Sequence, residues 1–389
     1  MNEKKTILII SPFASPNLGG VESHLDKLLS YVSKKGYYPV LLTYQPLTHN
    51  LKGRPFEKTD LMEIHRINWI GFDLFNKLEN YFPLQFLYLF PGLFFLTVKY
   101  LLFSRRSISC IHAHGLAAAT IARIVKAFSG VRIVVSTHAV YSFSRRRILA
   151  QCVKWVLKGF DVILAVSEVS RSEIISLGFE PSKVKVHPNW IDTDRFRIID
   201  NIKAETSNYI KYEVNLLFVG RLIEKKGIYL FLDTAKEFPE IGFHVVGGGA
   251  GEDALRKKYS EFPNITFHGV LSQNNEAEFN KLVRLYNICD FLVSPYLYDE
   301  GFSTTLIESL ACGTPVIVTD RGSPPTFLNN MVAVYLPHDP TGADLAGAIK
   351  SIKFDDMYRN NMRIACRSYA EEKFGFSNAD VIINSYEQP

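Results

Sequence analysis

Two doubly wound, Rossmann-like α/β domains facing a cleft are the fold that this chain predicts. Three observations carry the prediction. At 389 residues the chain is too long for one average core, so two domains are expected. Short apolar runs alternate with helical patterns, which implies parallel strands covered on both faces. The alternation starts twice, on either side of a polar stretch at 195–213.

In the first half, strands are expected at 6–10, 40–43, 110–113, 133–137, 162–166 and 184–187. Helical patterns lie between most of them, for example 22–34 and 116–128. The second series places strands at 216–219, 243–246, 265–267, 291–294, 316–319 and 333–336, again with helices between. The domains are set at 1–195 and 210–375. In folds of this kind a ligand sits where strand C-terminal ends meet helix N-termini.

The composition, 47% hydrophobic and 21% charged, excludes a disordered or fibrous chain. The five cysteines, Cys110, Cys152, Cys289, Cys312 and Cys366, contain no C-x-x-C pair. That argues against a zinc site or a disulfide framework and for a reducing compartment. The N-terminal apolar run is too short for a secretory leader, so the sequon at Asn264 reads as chance. Charge is uneven. Residues 1–200 hold 26 Lys and Arg against 15 Asp and Glu, a net +11, and the remainder has 18 against 24, a net −6. A basic half favours an anionic partner, a membrane surface or nucleic acid; a solvated basic face is the alternative.

Residues 80–98, NYFPLQFLYLFPGLFFLTV, carry no charge, and Lys99, Arg105 and Arg106 follow. The length reaches that of a bilayer span. Pro83 and Pro91-Gly92 are expected to break a continuous helix. A buried helical hairpin and an interfacial segment beside basic residues are the main readings. Arg145-Arg146-Arg147 suits the interfacial one.

Several short stretches have the residue types that chemistry needs. Gly19-Gly20 precede a helix start, whose free N–H groups suit phosphate; a plain tight turn is the other reading. FVGRLIEKKG places Arg221 and Lys226 after a strand, where a guanidinium and an ammonium would neutralise a diphosphate. VVGGGAGEDALRKK sets Gly247, Gly248, Gly249 and Gly251 in a strand-to-helix turn. His112, His114 and His138 end strands, where each is either a structural or a site histidine. DEGFSTTLIESLACGTPVIVTD holds Glu300 and Glu308 eight positions apart. Glu308 also fits a capping box with Thr305, a reading that leaves Glu300 unexplained. Asp192-Thr193-Asp194 has the look of a D-x-D metal motif.

These motifs, in this order and over nearly the whole chain, resemble the retaining glycosyltransferases of family four, with the GT-B fold. The E-x₇-E pair Glu300 and Glu308, with Gly220-Arg221 and Lys226-Gly227 upstream, is the most specific part. The resemblance implies a clamp on the donor diphosphate by Arg221 and Lys226, approached by Gly20. It implies donor-sugar contacts by Glu300 and the amides of Gly301, Phe302 and Ser303, and ribose contacts by Glu308. His138 matches the family's active-site histidine, so His138 and Glu300 are the expected catalytic pair. No metal or cofactor is implied; the nucleotide sugar is a substrate, and Asp192 to Asp194 falls in a turn segment. The last helix, within 376–389, is expected to cross back to the first domain.

Trp190 after Asn189, and Ser323-Pro324-Pro325-Thr326 after Gly322, depart from the family pattern. The implied activity is transfer of a hexose-type sugar from a nucleotide-diphosphate donor to a lipid-linked or cell-surface glycan. The acceptor would bind the first domain and the donor the second. The implied location is the inner face of the cytoplasmic membrane, in contact with anionic lipid and without nucleic acid. A silent sugar-nucleotide binding module, an epimerase and a phosphorylase are the alternatives.

Overall fold

Runs of Ile, Leu and Val such as Thr6–Ile10 are buried along their whole length, which requires cover on both sheet faces. In the computed structural model, which describes residues 4–17, 20–48, 52–71, 74–78, 81–138, 147–200, 202, 211–249, 251–273, 275–352 and 355–387, such runs build two sheets. Two compact units contain them: residues 1–189 with 377–389, and residues 190–376. The first division thus falls before the expected residue 195.

The first unit runs β1 (Thr6–Ile10), α1 (Gly20–Lys34), β2 (Tyr38–Tyr44), β3 (Phe56–Lys58), β4 (Glu63–Ile67), α2 (Leu74–Lys77) and α3 (Phe82–Phe103). It continues with β5 (Ile108–His114), α4 (Leu116–Ser129), β6 (Arg132–Thr137), α5 (Arg147–Leu157), β7 (Val162–Ala165), α6 (Glu168–Ser176) and β8 (Val184–Val186). The sheet order is β3-β4-β2-β1-β5-β6-β7-β8. All pairs are parallel except β3 with β4. These two strands were not expected from the sequence. FEK and EIHRI are charged and largely outside the core, so they lack the apolar run that marks the others.

The helix α3 corrects the expected break at Pro91. It runs unbroken over 22 residues. Proline interrupts a helix by removing a donor and crowding the preceding turn. Here Tyr44 repairs the ladder: its hydroxyl accepts from the Leu93 N–H at 2.7 Å and donates to the Leu89 carbonyl at 2.7 Å. Gly92 makes room, since a Cβ there would lie 2.6 Å from the Trp69 ring. Tyr88, Leu89, Leu93, Leu96 and Tyr100 of α3 join the core under the sheet. Its apolar length suffices to cross a bilayer, yet one face belongs to this core. Arg145 and Arg146 lie outside the described residues, as does the side chain of Arg147.

The second unit runs β9 (Val214–Val219), α7 (Ile228–Thr234), β10 (Ile241–Val246), α8 (Glu252–Lys258), β11 (Ile265–Gly269), α9 (Glu276–Ile288), β12 (Phe291–Ser294) and α10 (Thr304–Ala311). It ends with β13 (Val316–Thr319), α11 (Pro324–Phe327), β14 (Ala333–Leu336), α12 (Gly342–Ser351) and α13 (Asp356–Lys373). All six strands are parallel, in the order β11-β10-β9-β12-β13-β14. Every strand expected here is present. The sequon residue Asn264 is buried, and its amide donates to the carbonyls of Ala235, Phe238 and Ile241.

The last helix, α14 (Ser377–Tyr386), groups with the first unit. Asp380 accepts from Tyr31 at 2.7 Å and pairs with Lys35 at 2.8 Å, and Arg132 donates to the Ser385 carbonyl at 2.9 Å.

Candidate active site

In the second unit β9 and β12 are neighbours where the winding reverses, so the loops that follow them leave the sheet side by side. One carries Arg221 and Lys226, the other Glu300. Gly227, at φ +78°, lets the loops touch; a Cβ there would lie 2.0 Å from the Pro295 carbonyl oxygen. The Leu297 N–H donates to the Lys225 carbonyl at 2.9 Å across the same contact.

This approach brings Lys226 and Glu300 together. The ammonium donates to the Glu300 carboxylate, and the Tyr298 hydroxyl donates to the same oxygen at 2.5 Å. Lys226 Nζ also lies 4.9 Å from the Tyr296 ring centre. Burial alone would depress the ammonium pKa. The Glu300 carboxylate, with Tyr296 and Tyr298, outweighs it and raises the pKa above its ordinary value. Lys226 is therefore a fixed cation at neutral pH. Arg221 is exposed at the same strand end. The glycine-rich turn at 247–249 lies against its loop, the Leu222 N–H donating to the Gly248 carbonyl at 3.0 Å.

The Pro-Pro departure noted in the sequence supports Glu300 from behind. Gly322 has φ +68°, and a Cβ there would lie 2.5 Å from the Glu300 nitrogen. The Ser323 N–H donates to the Glu300 carbonyl at 2.9 Å. Phe327 of α11 stacks on Phe302, ring centres 4.4 Å apart, and both meet Phe374 edge-on. The Phe302 ring thus belongs to the core, and its backbone amide is what it has to offer a ligand. Gly301 and Ser303 are buried beside it, and Ser303 Oγ accepts from the Tyr296 hydroxyl at 2.8 Å.

Glu308 lies in α10 and is 1% exposed. The alternative capping-box reading is corrected. Ser303 is the N-cap residue, so Glu308 sits two residues beyond the position a capping box uses. Its two oxygens accept instead from Gln273 at 2.9 Å and from the Tyr286 hydroxyl at 3.0 Å. Burial, then Glu308, raises the Tyr286 pKa well above the ordinary tyrosine value. The sequence contains no signal for either partner, since both lie on other elements.

In the first unit the chemistry-bearing residues are imidazoles. His112 and His114, two apart on β5, share a face; His138 follows β6, His187 follows β8, and His24 is on α1. His114 Nδ1 lies 2.8 Å from His138 Nε2. The His24 ring centre is 5.1 Å from that of His138 and 5.8 Å from that of His187. His24 Nδ1 is 2.9 Å from Asn189 Oδ1, and His112 bonds to the hydroxyls of Tyr386 and Ser136. Burial lowers the pKa of His138 to about 4 and, with His138, that of His187 to about 3. It also lowers those of His24, His112 and His114. All five rings are neutral at pH 7. His24 and His187 were missed in the sequence, although His187 follows a strand as His138 does.

Gly20 is the first residue of α1 and is exposed; a Cβ there would meet nothing within 4 Å, and Gly19 lies outside the described residues. Asp192 Oδ1 accepts from the N–H groups of Asp194 and Arg195, so this carboxylate closes a turn. The second unit thus offers fixed positive charge and carboxylates, and the first offers neutral donors and acceptors.

Residues 18–195 match the family model Glycosyltransferase Family 4, and residues 201–372 match Glycosyl transferases group 1. The chain is 23% identical over 360 residues to a phosphatidylinositol N-acetylglucosaminyltransferase subunit of Arabidopsis thaliana, covering 89% of this chain and 74% of that protein. It is 25% identical over 317 residues to an uncharacterized 41.2 kDa protein in the cps region of Klebsiella pneumoniae, covering 76% and 82%. Among solved structures, sucrose-phosphate synthase from Thermosynechococcus elongatus has a TM-score of 0.78 at 17% identity over 98% of both chains. Anabaena HepE in complex with UDP and glucose has a TM-score of 0.73 at 16% identity, covering 97% and 98%. At such identities the structural likeness is one of fold, the two-domain Rossmann-like GT-B fold.

Proposed function

Since the chain belongs to the family-four, group 1 glycosyltransferases and is a glycosyltransferase, we propose that it moves a hexose-type sugar from a nucleotide-diphosphate donor to a lipid-linked or cell-surface glycan, with retention and without metal. The observation that carries this reading is the buried contact of Lys226 with Glu300 at the switch point of the second sheet. Breaking a sugar–diphosphate bond develops negative charge on the leaving group. A cation already held in place, with Arg221 at the same strand end, stabilises that charge without reorganisation. The donor diphosphate would take over Lys226, releasing Glu300 to accept from sugar hydroxyls, with the amides of Gly301, Phe302 and Ser303 beside it. Glu308, held by Gln273 and Tyr286, would accept from the ribose. Gly20 and His138 of the first unit are given the roles that the family motif implies, approach to the diphosphate and service to the transferred sugar.

The HepE complex makes UDP-sugars the first donors to test. The lipid acceptor draws support from the name of the phosphatidylinositol enzyme and from the apolar face of α3. Leu84, Leu87, Phe95 and Leu102 are exposed along that helix at separations of 3, 8 and 7 residues, which keep them on one face, and Phe103 follows, with Lys99 and Arg105 beside them. An apolar stripe flanked by cations suits an anionic bilayer surface. The five cysteines, none of them in a disulfide, suit the reducing side of a membrane.

The test is a panel of UDP-, GDP- and ADP-sugars, measuring release of nucleoside diphosphate with and without membrane extract. Release that needs the extract is expected with one donor class; binding without release from any donor would overturn the transfer reading. The anomeric configuration of the product, by NMR, checks retention. EDTA should leave turnover intact; abolition rescued by manganese would refute metal independence.

A further inference from the structure

We propose that His24, His114 and His138 form a site for one divalent transition-metal ion of the zinc class, and that its occupation inhibits glycosyl transfer. The binding part stands on the geometry of the first unit. The inhibitory part rests on the reading of His138 as an active-site residue.

One nitrogen from each of the three rings lies within 4.8 Å of the others. Zinc binds imidazole at about 2.0–2.1 Å, so tetrahedral ligand nitrogens sit about 3.3 Å apart. The His114 to His138 separation of 2.8 Å is about half an ångström short of that, and side-chain torsions supply such a change. Two imidazole nitrogens this close share one proton in the metal-free protein. Metal binding moves that proton to the far nitrogen of its own ring and directs both lone pairs at the ion. No net proton is released.

The surroundings fit a ligating role. The Asn189 carbonyl oxygen accepts from His24 Nδ1–H, which leaves the lone pair of that neutral ring on Nε2. A carbonyl behind the second ring nitrogen is what orients metal-bound histidines. Three protein ligands leave one coordination position open. Imidazoles select zinc, copper or nickel over magnesium and manganese, which prefer oxygen. The proposal is therefore compatible with turnover that needs no metal. An ion on His138 takes the ring nitrogen that faces His114 and adds a double positive charge where the enzyme otherwise keeps neutral groups.

The test uses the full chain with zinc alone, titrated against a chromophoric chelator at pH 7.5. One ion per chain is expected, and His24→Gln and His114→Gln should each weaken binding by about a hundredfold. Because either variant can misfold, cobalt-loaded wild-type protein gives a second reading. A tetrahedral visible spectrum without a thiolate charge-transfer band supports the site. A thiolate band, which would point to the exposed Cys152, overturns it, as does the absence of stoichiometric binding. Magnesium at the same concentration should not bind. Saturating zinc should then cut nucleotide release at least tenfold, with full recovery on chelation. Stoichiometric histidine-dependent binding without inhibition would keep the site and overturn the role given to His138.

Discussion

The first unit gathers neutral imidazoles at the C-terminal edge of its sheet, and the second gathers opposite charges at the same place. Both sets flank a strand-order reversal, β1 beside β5 in one sheet and β9 beside β12 in the other. Each unit also contains a direct histidine–histidine contact, His114 with His138 at 2.8 Å and His244 with His268 at 3.0 Å. The second pair lies on β10 and β11, at the sheet edge away from the reversal, with Asn215 on its far nitrogen. Position at the switch point, not the histidine pair itself, marks a candidate site. The charge difference then separates the tasks: fixed charge suits a leaving diphosphate, and neutral groups suit hydroxyls and proton exchange.

The largest effect should come from breaking the charged side. Lys226→Met strands the buried Glu300 carboxylate. Turnover should fall about a thousandfold, and the second unit should lose about 3–5 kcal/mol. Lys226→Met combined with Glu300→Gln should recover most of the stability and none of the activity. Urea unfolding with a donor-turnover assay reads both; a double variant that transfers sugar normally would remove the assigned roles.

The neutral side should break with acid. Five histidines of the first unit, His24, His112, His114, His138 and His187, have folded pKa values below the unfolded value of about 6.5, so the unfolded chain binds more protons in between. Their stability contribution is complete above about pH 6.5 and is lost as pH falls toward the folded values. His138, near 4, and His187, near 3, should each cost about 2 kcal/mol by pH 5. The other three add to this, whereas the second unit carries one such pair, His244 and His268. Hydrogen exchange with chelator present should show peptides of 1–189 opening first as pH drops from 7 to 5. Simultaneous opening of both units would contradict the contrast.

A smaller effect is expected at Glu308. Glu308→Gln should weaken nucleotide binding about tenfold, the scale of one charge-assisted hydrogen bond. Tyr286→Phe should cost less, since Gln273 still holds the carboxylate. Calorimetry with the free nucleoside diphosphate measures both, and unchanged affinity in Glu308→Gln would detach this residue from the ribose.

Much of this was legible in sequence, for physical reasons. Buried parallel strands such as 6–10 and 291–294 are near-continuous apolar runs. The loops with Arg221, Lys226 and Glu300 follow directly from strand order. What was hidden depends on partners far along the chain. Tyr44 repairs α3 from 49 residues away. Gln273 and Tyr286 hold Glu308 from other elements. Gly322 needs the Glu300 backbone beside it before its lack of a side chain has meaning. The histidines of β5 and β6 were visible as strand ends, but their convergence with His24 and His187 needed the sheet register.

The smallest effect separates the units at their surfaces. Leu87 and Phe95 are both 61% exposed on α3, eight residues apart on one helix face. Side chains already outside the core add little to folding, so Leu87→Ser with Phe95→Ser should leave stability within about 0.5 kcal/mol. At a bilayer surface the same two side chains would lose burial worth about 1–2 kcal/mol in total if they enter only partly, roughly a tenfold loss of vesicle affinity. Donor binding belongs to the second unit in the proposed reading and should not change. Cosedimentation with anionic vesicles at low salt, beside calorimetry with nucleotide, measures the two quantities separately. A variant that keeps its vesicle affinity would move the membrane contact off α3; one that loses nucleotide affinity as well would erase the division of labour between the units.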